Sequence, residues 1–183
     1  MESILASIRI SLATMAICVA GYSTAVWGFA QTVTPGTANG SLITAPDGTV
    51  IGSSQIAQAF TKPQYFWPRP SAVDYNGGGA GGSNKSPTSS DLTARAAETV
   101  ARYGATKENP LPAELAAASG SGLDPNISER AALYQAPRVA TARGVPVAEV
   151  EALVRKQAFQ PGGFLAGDRL VNVLALNLAL DGK

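Results

Sequence analysis

Between Ile10 and Ala30 the chain runs for 21 residues without a single Asp, Glu, Lys or Arg. At about 1.5 Å per residue a helix of that length reaches roughly 31 Å, which matches a hydrocarbon core of about 30 Å. Ser11, Thr14, Ser23 and Thr24 interrupt the apolar side chains. Their hydroxyls can bond back to the preceding turn, so they do not forbid insertion. Tyr22, Trp27 and Phe29 gather towards the C-terminal half, where amphipathic rings suit an interfacial belt. The run predicts a transmembrane helix over 10–30. A cleaved signal peptide is the rival, with Gly28-Phe29-Ala30 as a small-x-small site. Its apolar core would exceed the usual 7–15 residues and Trp27 would crowd the cut.

Orientation follows from flanking positive charge. Arg9 precedes the run and no Lys or Arg follows until Lys62, so residues 1–9 are expected in the cytoplasm and 31–183 outside it. The signal-peptide reading would export the same residues.

Composition narrows the chemistry of the remainder. Histidine is absent and Cys18 is the one cysteine. That removes Ser-His-Asp and Cys-His nucleophile systems, His-ligated zinc and any internal disulfide. Charged residues amount to 15 % and the formal net charge is +1, so bulk charge carries no nucleic-acid footprint. Apolar residues at 45 % are enough to build a core.

Along 31–183 the elements alternate in type. Ser41-Leu42-Ile43 and Thr49-Val50-Ile51 flank Pro46-Asp47-Gly48, which predicts a hairpin. Ser53 or Ser54 is placed to cap a short helix ending near Phe60. Lys62 to Ser71 carries three prolines and three aromatics and reads as an extended connection. Gly77-Gly78-Gly79 and Gly81-Gly82 open a loop that runs to Ser90. Walker spacing fails there because Ser83 stands where lysine is required, so a mobile or partner-ordered loop is expected. Ser89 or Ser90 begins a helix stopped by Gly104, with Leu92, Ala96, Val100 and Tyr103 on one face and Arg95, Glu98 and Arg102 elsewhere. Pro112 opens a short helix through Ala118. Ser128 caps a helix expected to stop before Pro137, and Val147, Val150, Leu153 and Val154 stripe the next. Leu170 to Leu180 reads as a strand passing into a helix capped by Asn172. These elements imply one N-terminal transmembrane helix and a single α+β domain.

No active-site pattern emerges from the residues. Asp74, Asp124 and Asp168 lie in expected loops, where turn formation explains each more simply than acid-base catalysis. No metal-ligand spacing is visible. Arg130, Arg138, Arg143 and Arg155 could form an anion patch, but on amphipathic helices such charges usually make a solvated face. The residues thus favour a membrane-anchored binding or assembly domain, with an exported enzyme as the alternative.

Several blocks stand out in order along the chain: Asn39-Gly40-Ser41-Leu42-Ile43, Pro68-Arg69-Pro70-Ser71 and Ala118-Ser119-Gly120-Ser121-Gly122-Leu123-Asp124. The strongest is Tyr134-Gln135 with Pro137-Arg138-Val139-Ala140-Thr141-Ala142-Arg143, followed by Val171-Asn172-Val173 and Leu176-Asn177-Leu178. Together these blocks are similar to the C subunit of the Kdp potassium-transporting P-type ATPase. The resemblance implies a non-catalytic accessory subunit in a bacterial inner-membrane complex. Its implied partners are a potassium-translocating subunit, a P-type ATPase subunit that hydrolyses ATP, and a small single-span subunit. It also implies a catalytic chaperone that raises ATP affinity, with Gln135 as the nucleotide contact. The charge flanks place Gln135 outside the membrane, however, while ATP is cytoplasmic. A structural role, with the exported domain capping the outer face of the translocating subunit, is therefore the expectation from the residues.

Overall fold

The computed structural model describes residues 2–163 and 167–182, and the chain divides into two compact units, 1–51 and 52–183. In the first unit one helical run extends from Glu2 to Val33. It consists of α1 (Glu2–Met15), a π-helical stretch (Ala16–Tyr22) and α2 (Ser23–Val33). The run is longer than the expected 10–30 and takes in Arg9. Its apolar window is long enough to cross a membrane, and none of that window is buried. Two of the four hydroxyls bond backwards as expected: Thr14 donates to Ile10 O at 2.8 Å and Ser23 to Cys18 O at 3.3 Å. A short α3 (Pro35–Ala38) follows, then β1 (Leu42–Thr44) and β2 (Val50–Ser53), which pair as the hairpin read from the sequence. The Ala45 amide donates to Thr49 O and the Gly48 amide to Ala45 O, closing the turn.

The second unit carries the core. Its elements are α4 (Ser90–Tyr103), α5 (Ala113–Ala116), β3 (Asn126–Ser128), α6 (Glu129–Arg143), α7 (Val147–Gln157), β4 (Leu170–Asn172) and α8 (Val173–Leu180). Strands β3 and β4 are antiparallel with Ile127 opposite Val171. Both of those side chains are buried, together with Ala131, Ala132, Ala136, Val139 and Ala140 of α6 and Val150 and Val154 of α7. Alanines on α6 keep its buried face shallow, which lets neighbouring elements approach closely. The expected cap of α6 is present: Ser128 Oγ accepts from the Ala131 amide at 3.1 Å. Strand β4 passes directly into α8, and Asn172 Oδ1 caps it by accepting from the Ala175 amide at 3.0 Å.

Four expectations are corrected. Helix α6 does not stop before Pro137 but runs through it to Arg143. The missing N–H and ring clash cost about 3 kcal/mol; burial of Val139 and Ala140 beyond the proline offsets this. No helix follows Ser53: Ser53 Oγ accepts from the Gln55 amide, and the Ala57 amide is drawn to the distant Leu123 O. Helix α5 ends at Ala116 rather than Ala118, because the Ser119 amide is pulled to Pro70 O. On α4 the sheltered residues are Leu92, Arg95, Ala96, Thr99 and Tyr103, whereas Val100 is exposed. Its inner stripe thus includes Arg95, one position away from the purely apolar reading. Strand β3, between Pro125 and the α6 cap, has no counterpart in the sequence reading; three residues are too few to show an alternation.

The glycine loop has no regular structure between Gly77 and Pro87, yet its centre is docked. The Gly81 amide donates to Ser121 O at 2.7 Å. Gly122 has φ +69°, and a Cβ there would lie 2.5 Å from Val73 Cγ2 and 2.8 Å from Gly81 O. Neighbouring Gly120 has open space where its Cβ would be. Gly122→Ala should therefore lower the urea-unfolding free energy of the full chain in detergent by about 1–3 kcal/mol, while Gly120→Ala stays within about 0.5 kcal/mol of wild type.

Candidate functional site

The extended stretch Lys62 to Ser71 runs into the core. Phe66 is fully buried, and Trp67 and Pro68 are buried beside it. Among the described residues no strand pairs with this strap, so its backbone polar groups need other partners. Side chains provide them. Asn177 of α8 accepts from the Phe66 amide through Oδ1 at 2.8 Å and donates from Nδ2 to Phe66 O at 3.0 Å. Gln135 of α6 repeats the pattern one residue on: Oε1 accepts from the Trp67 amide at 2.9 Å and Nε2 donates to Trp67 O at 3.0 Å. Each carboxamide thus plays the part of a neighbouring strand, one donor and one acceptor per residue.

Two arginines complete the seating. Arg138 donates from Nη1 to Pro63 O and Tyr65 O, and from Nη2 to Gln135 Oε1. Arg143 donates from Nε to Gln64 O at 2.8 Å, from Nη1 to Leu180 O at 3.0 Å and from Nη2 to Asp181 Oδ1 at 2.8 Å. Trp67 Nε1 donates to Lys62 O at 3.0 Å. Every backbone carbonyl from Lys62 to Trp67 therefore has a donor. The Arg138 guanidinium also lies 3.7 Å from the centre of the Trp67 ring, where the ring's negative face attracts it. Tyr103 meets Trp67 edge-on, with centroids 5.2 Å apart. Burial lowers the pKa of Arg138 to about 10 and raises that of Tyr103 to about 12.

The residues singled out from the sequence are scattered by this arrangement. Gln135 is 1 % exposed, and its oxygen and nitrogen are both occupied by Trp67, with Arg138 sharing the oxygen. A ligand could reach its polar atoms only after the strap lifts. Asp124 Oδ1 accepts from the Asn126 amide at 3.0 Å, and its other oxygen lies 3.5 Å from Arg69 Nη1. Asp74 and Asp168 are exposed. The four arginines do not form a patch. Arg138 and Arg143 hold the strap, Arg155 pairs with Glu151 at 3.1 Å, and Arg130 is exposed. Asn177 and Trp67 were not anticipated. The usable signal was an amide at a position whose helical neighbours are apolar, as with Asn177 within VLALNLAL.

The sequence model of one family, described as KdpC, the K+-transporting ATPase c chain, matches residues 4–182. The chain is 75 % identical over 181 residues to the potassium-transporting ATPase KdpC subunit of Parvibaculum lavamentivorans, covering 99 % of this chain and 97 % of that protein. It is 49 % identical to the KdpC subunit of Caulobacter vibrioides over 88 % of this chain and 84 % of the relative. For the Myxococcus xanthus KdpC subunit the identity is 44 %, over 98 % and 88 %.

Opening either clamp leaves a buried N–H and a buried C=O unpaired. Gln135→Ala and Asn177→Ala should each destabilise the chain by about 2–5 kcal/mol in urea unfolding, and the double variant by less than the sum, since both act on one strap. Stability should be flat between pH 6 and 9, because no histidine titrates there. Above pH 10 the raised Tyr103 pKa removes stability as pH climbs towards about 12. The lowered Arg138 pKa acts in the opposite sense from about pH 10 upward. Tyr103→Phe should therefore flatten the alkaline fall, read as the unfolding midpoint at pH 9, 10.5 and 11.5.

Proposed function

The chain belongs to the KdpC family, the c chain of K+-transporting ATPases, and from that membership we propose that it acts as a non-catalytic assembly subunit of an ATP-driven potassium uptake complex. Its working surface is the folded unit beyond the hairpin, and the apolar helix anchors it in the inner membrane. Arg9 before that helix and the lack of Lys or Arg until Lys62 support a cytoplasmic N-terminus with 31–183 in the periplasm. The partners are the potassium-translocating subunit, the P-type ATPase subunit and the small single-span subunit.

One observation carries the structural role: the polar atoms of Gln135, the residue proposed to contact nucleotide, are spent on the protein's own backbone. A buried amide bonded in this way stabilises a fold and offers a ligand nothing without rearrangement. On this reading the catalytic-chaperone effect, a rise in the ATP affinity of the ATPase subunit, is transmitted through assembly rather than through ATP bound at Gln135.

Affinity purification of the tagged full-length chain from cells expressing the complex should bring down the ATPase and translocating subunits; recovery of the chain alone refutes the proposal. Crosslinking with photoreactive ATP separates the two accounts of Gln135. Asn177→Ala opens the same strap without altering Gln135 and serves as the control. Equal labelling of wild type, Gln135→Ala and Asn177→Ala supports the structural role. Labelling lost in Gln135→Ala alone establishes direct contact. Protease added to spheroplasts should digest 31–183, and digestion only in inverted vesicles reverses the orientation.

A further inference from the structure

A cleft of about 420 Å³ lies beside the strap, walled by Trp67, Pro68, Pro70, Tyr75, Tyr103 and α4. Two guanidiniums line it, those of Arg95 and Arg102. Arg102 lies 4.0 Å from the centre of the Trp67 ring, which holds its plane without using its N–H donors. Neither side chain reaches a carboxylate or carbonyl acceptor among the described residues, and the Arg95 Nε, like those of Arg69 and Arg138, is buried without a hydrogen-bond partner. Arg69, Arg138 and Arg143 nearby all have oxygen acceptors. Exposed Asp74 and Glu98 share the lining without pairing.

The rim is also shaped at a cost. Asp74 and Tyr75 are consecutive non-glycine residues with φ of 51° and 57°, a conformation that costs energy at each. It is held by Ser71 Oγ, which accepts from the Val73 and Tyr75 amides, and by the Tyr75 hydroxyl, which donates to Arg69 O. Tyrosine, tryptophan and arginine around a sheltered centre make up the composition of protein-interface hot spots. Guanidinium forks match a carboxylate in two-point geometry.

We propose that this cleft is a docking pocket for an acidic loop of a partner subunit, whose carboxylate Arg95 and Arg102 receive between the aromatic walls. The inference rests on the reading of the chain as an assembly subunit. It adds which face engages and what chemistry the partner presents. The aromatic rim favours a protein side chain over a free ion, since an inorganic anion gains nothing from Phe60, Pro68 and Tyr75 around the mouth.

The test uses the whole complex. Arg95→Gln/Arg102→Gln should reduce the partner subunits recovered with the tagged chain at least about tenfold at physiological salt, whereas Arg155→Gln, a surface control, leaves recovery unchanged. Arg102→Lys supplies an amine at the cleft while keeping the charge. Carbodiimide, which condenses an amine with a carboxylate, should then join it to an Asp or Glu of a partner, identified by mass spectrometry. Wild-type recovery with the double variant, or crosslinks confined to Asp74 or Glu98 of the same chain, overturns the pocket. Loss of the crosslink when millimolar inorganic phosphate is added to the complex before the carbodiimide, with partner recovery unchanged, reassigns the cleft to a small anion and likewise overturns it. If wild type itself recovers no partner, the assembly reading fails before the pocket is reached. Unchanged circular dichroism of the double variant excludes misfolding, and the charge-preserving crosslink decides the matter should that variant unfold.

Discussion

An extended segment buried without a neighbouring strand imposes the main constraint on this fold. Sinking Phe66 and Trp67 into the core removes apolar area from water, but it carries their amide groups inside as well. Each unpaired group would cost about 1–3 kcal/mol, enough to cancel the gain from the ring beside it. The solution comes from helices far along the chain: Asn177 on α8 and Gln135 on α6 each supply a donor and an acceptor. Both helices are thereby fixed in rotation about their axes. Turned by one residue, either would present a methyl group to a buried carbonyl.

This constraint explains what could be read from the sequence and what could not. Local signals were sufficient where local physics decides. Pro46-Asp47-Gly48 marked the hairpin, Ser128 and Asn172 marked helix starts, and Gly104, with φ +62°, marked the end of α4. The same signals misled wherever a distant partner intervened. Pro137 would end a helix that had only its own hydrogen bonds, yet Arg138 and Arg143 lie beyond it and bond the strap. Ala57 left the helix expected after Ser53 because Leu123 O holds its amide. Gln135 could be nominated from the family resemblance, but its bonds to Trp67, 68 residues away, have no expression in spacing. The extended form of the strap follows from its prolines, but proline and aromatic residues together fit an exposed linker as well as a buried one, so its burial has no local signal.

Function bears on the same residues. In a family named for ATP-driven potassium transport, a conspicuous glutamine invites a ligand role. Here the amide oxygen is filled by the Trp67 amide and Arg138 and the nitrogen bonds Trp67 O, so its importance follows from geometry whether or not a nucleotide ever approaches. Substitution at Gln135 is expected to disturb the strap first, and activity changes there report that disturbance unless Asn177→Ala fails to reproduce them.

Three arginines of this unit share one task. Arg143 bonds the last carbonyls of α8, Arg169 donates to Arg155 O and Ala158 O at the end of α7, and Arg138 bonds the strap carbonyls. In each case a guanidinium serves backbone oxygens that no helix or strand can pair, a task for which its several fixed donors suit it better than lysine's ammonium. Arg138 and Arg143 are therefore struts of the fold, whereas Arg130 and Arg155 remain on the solvated face. Arg95 and Arg102 differ from Arg138, Arg143 and Arg169, since neither reaches an acceptor among the described residues although both line one cleft. There the fold has set two guanidiniums around an aromatic wall and left their donors to another molecule.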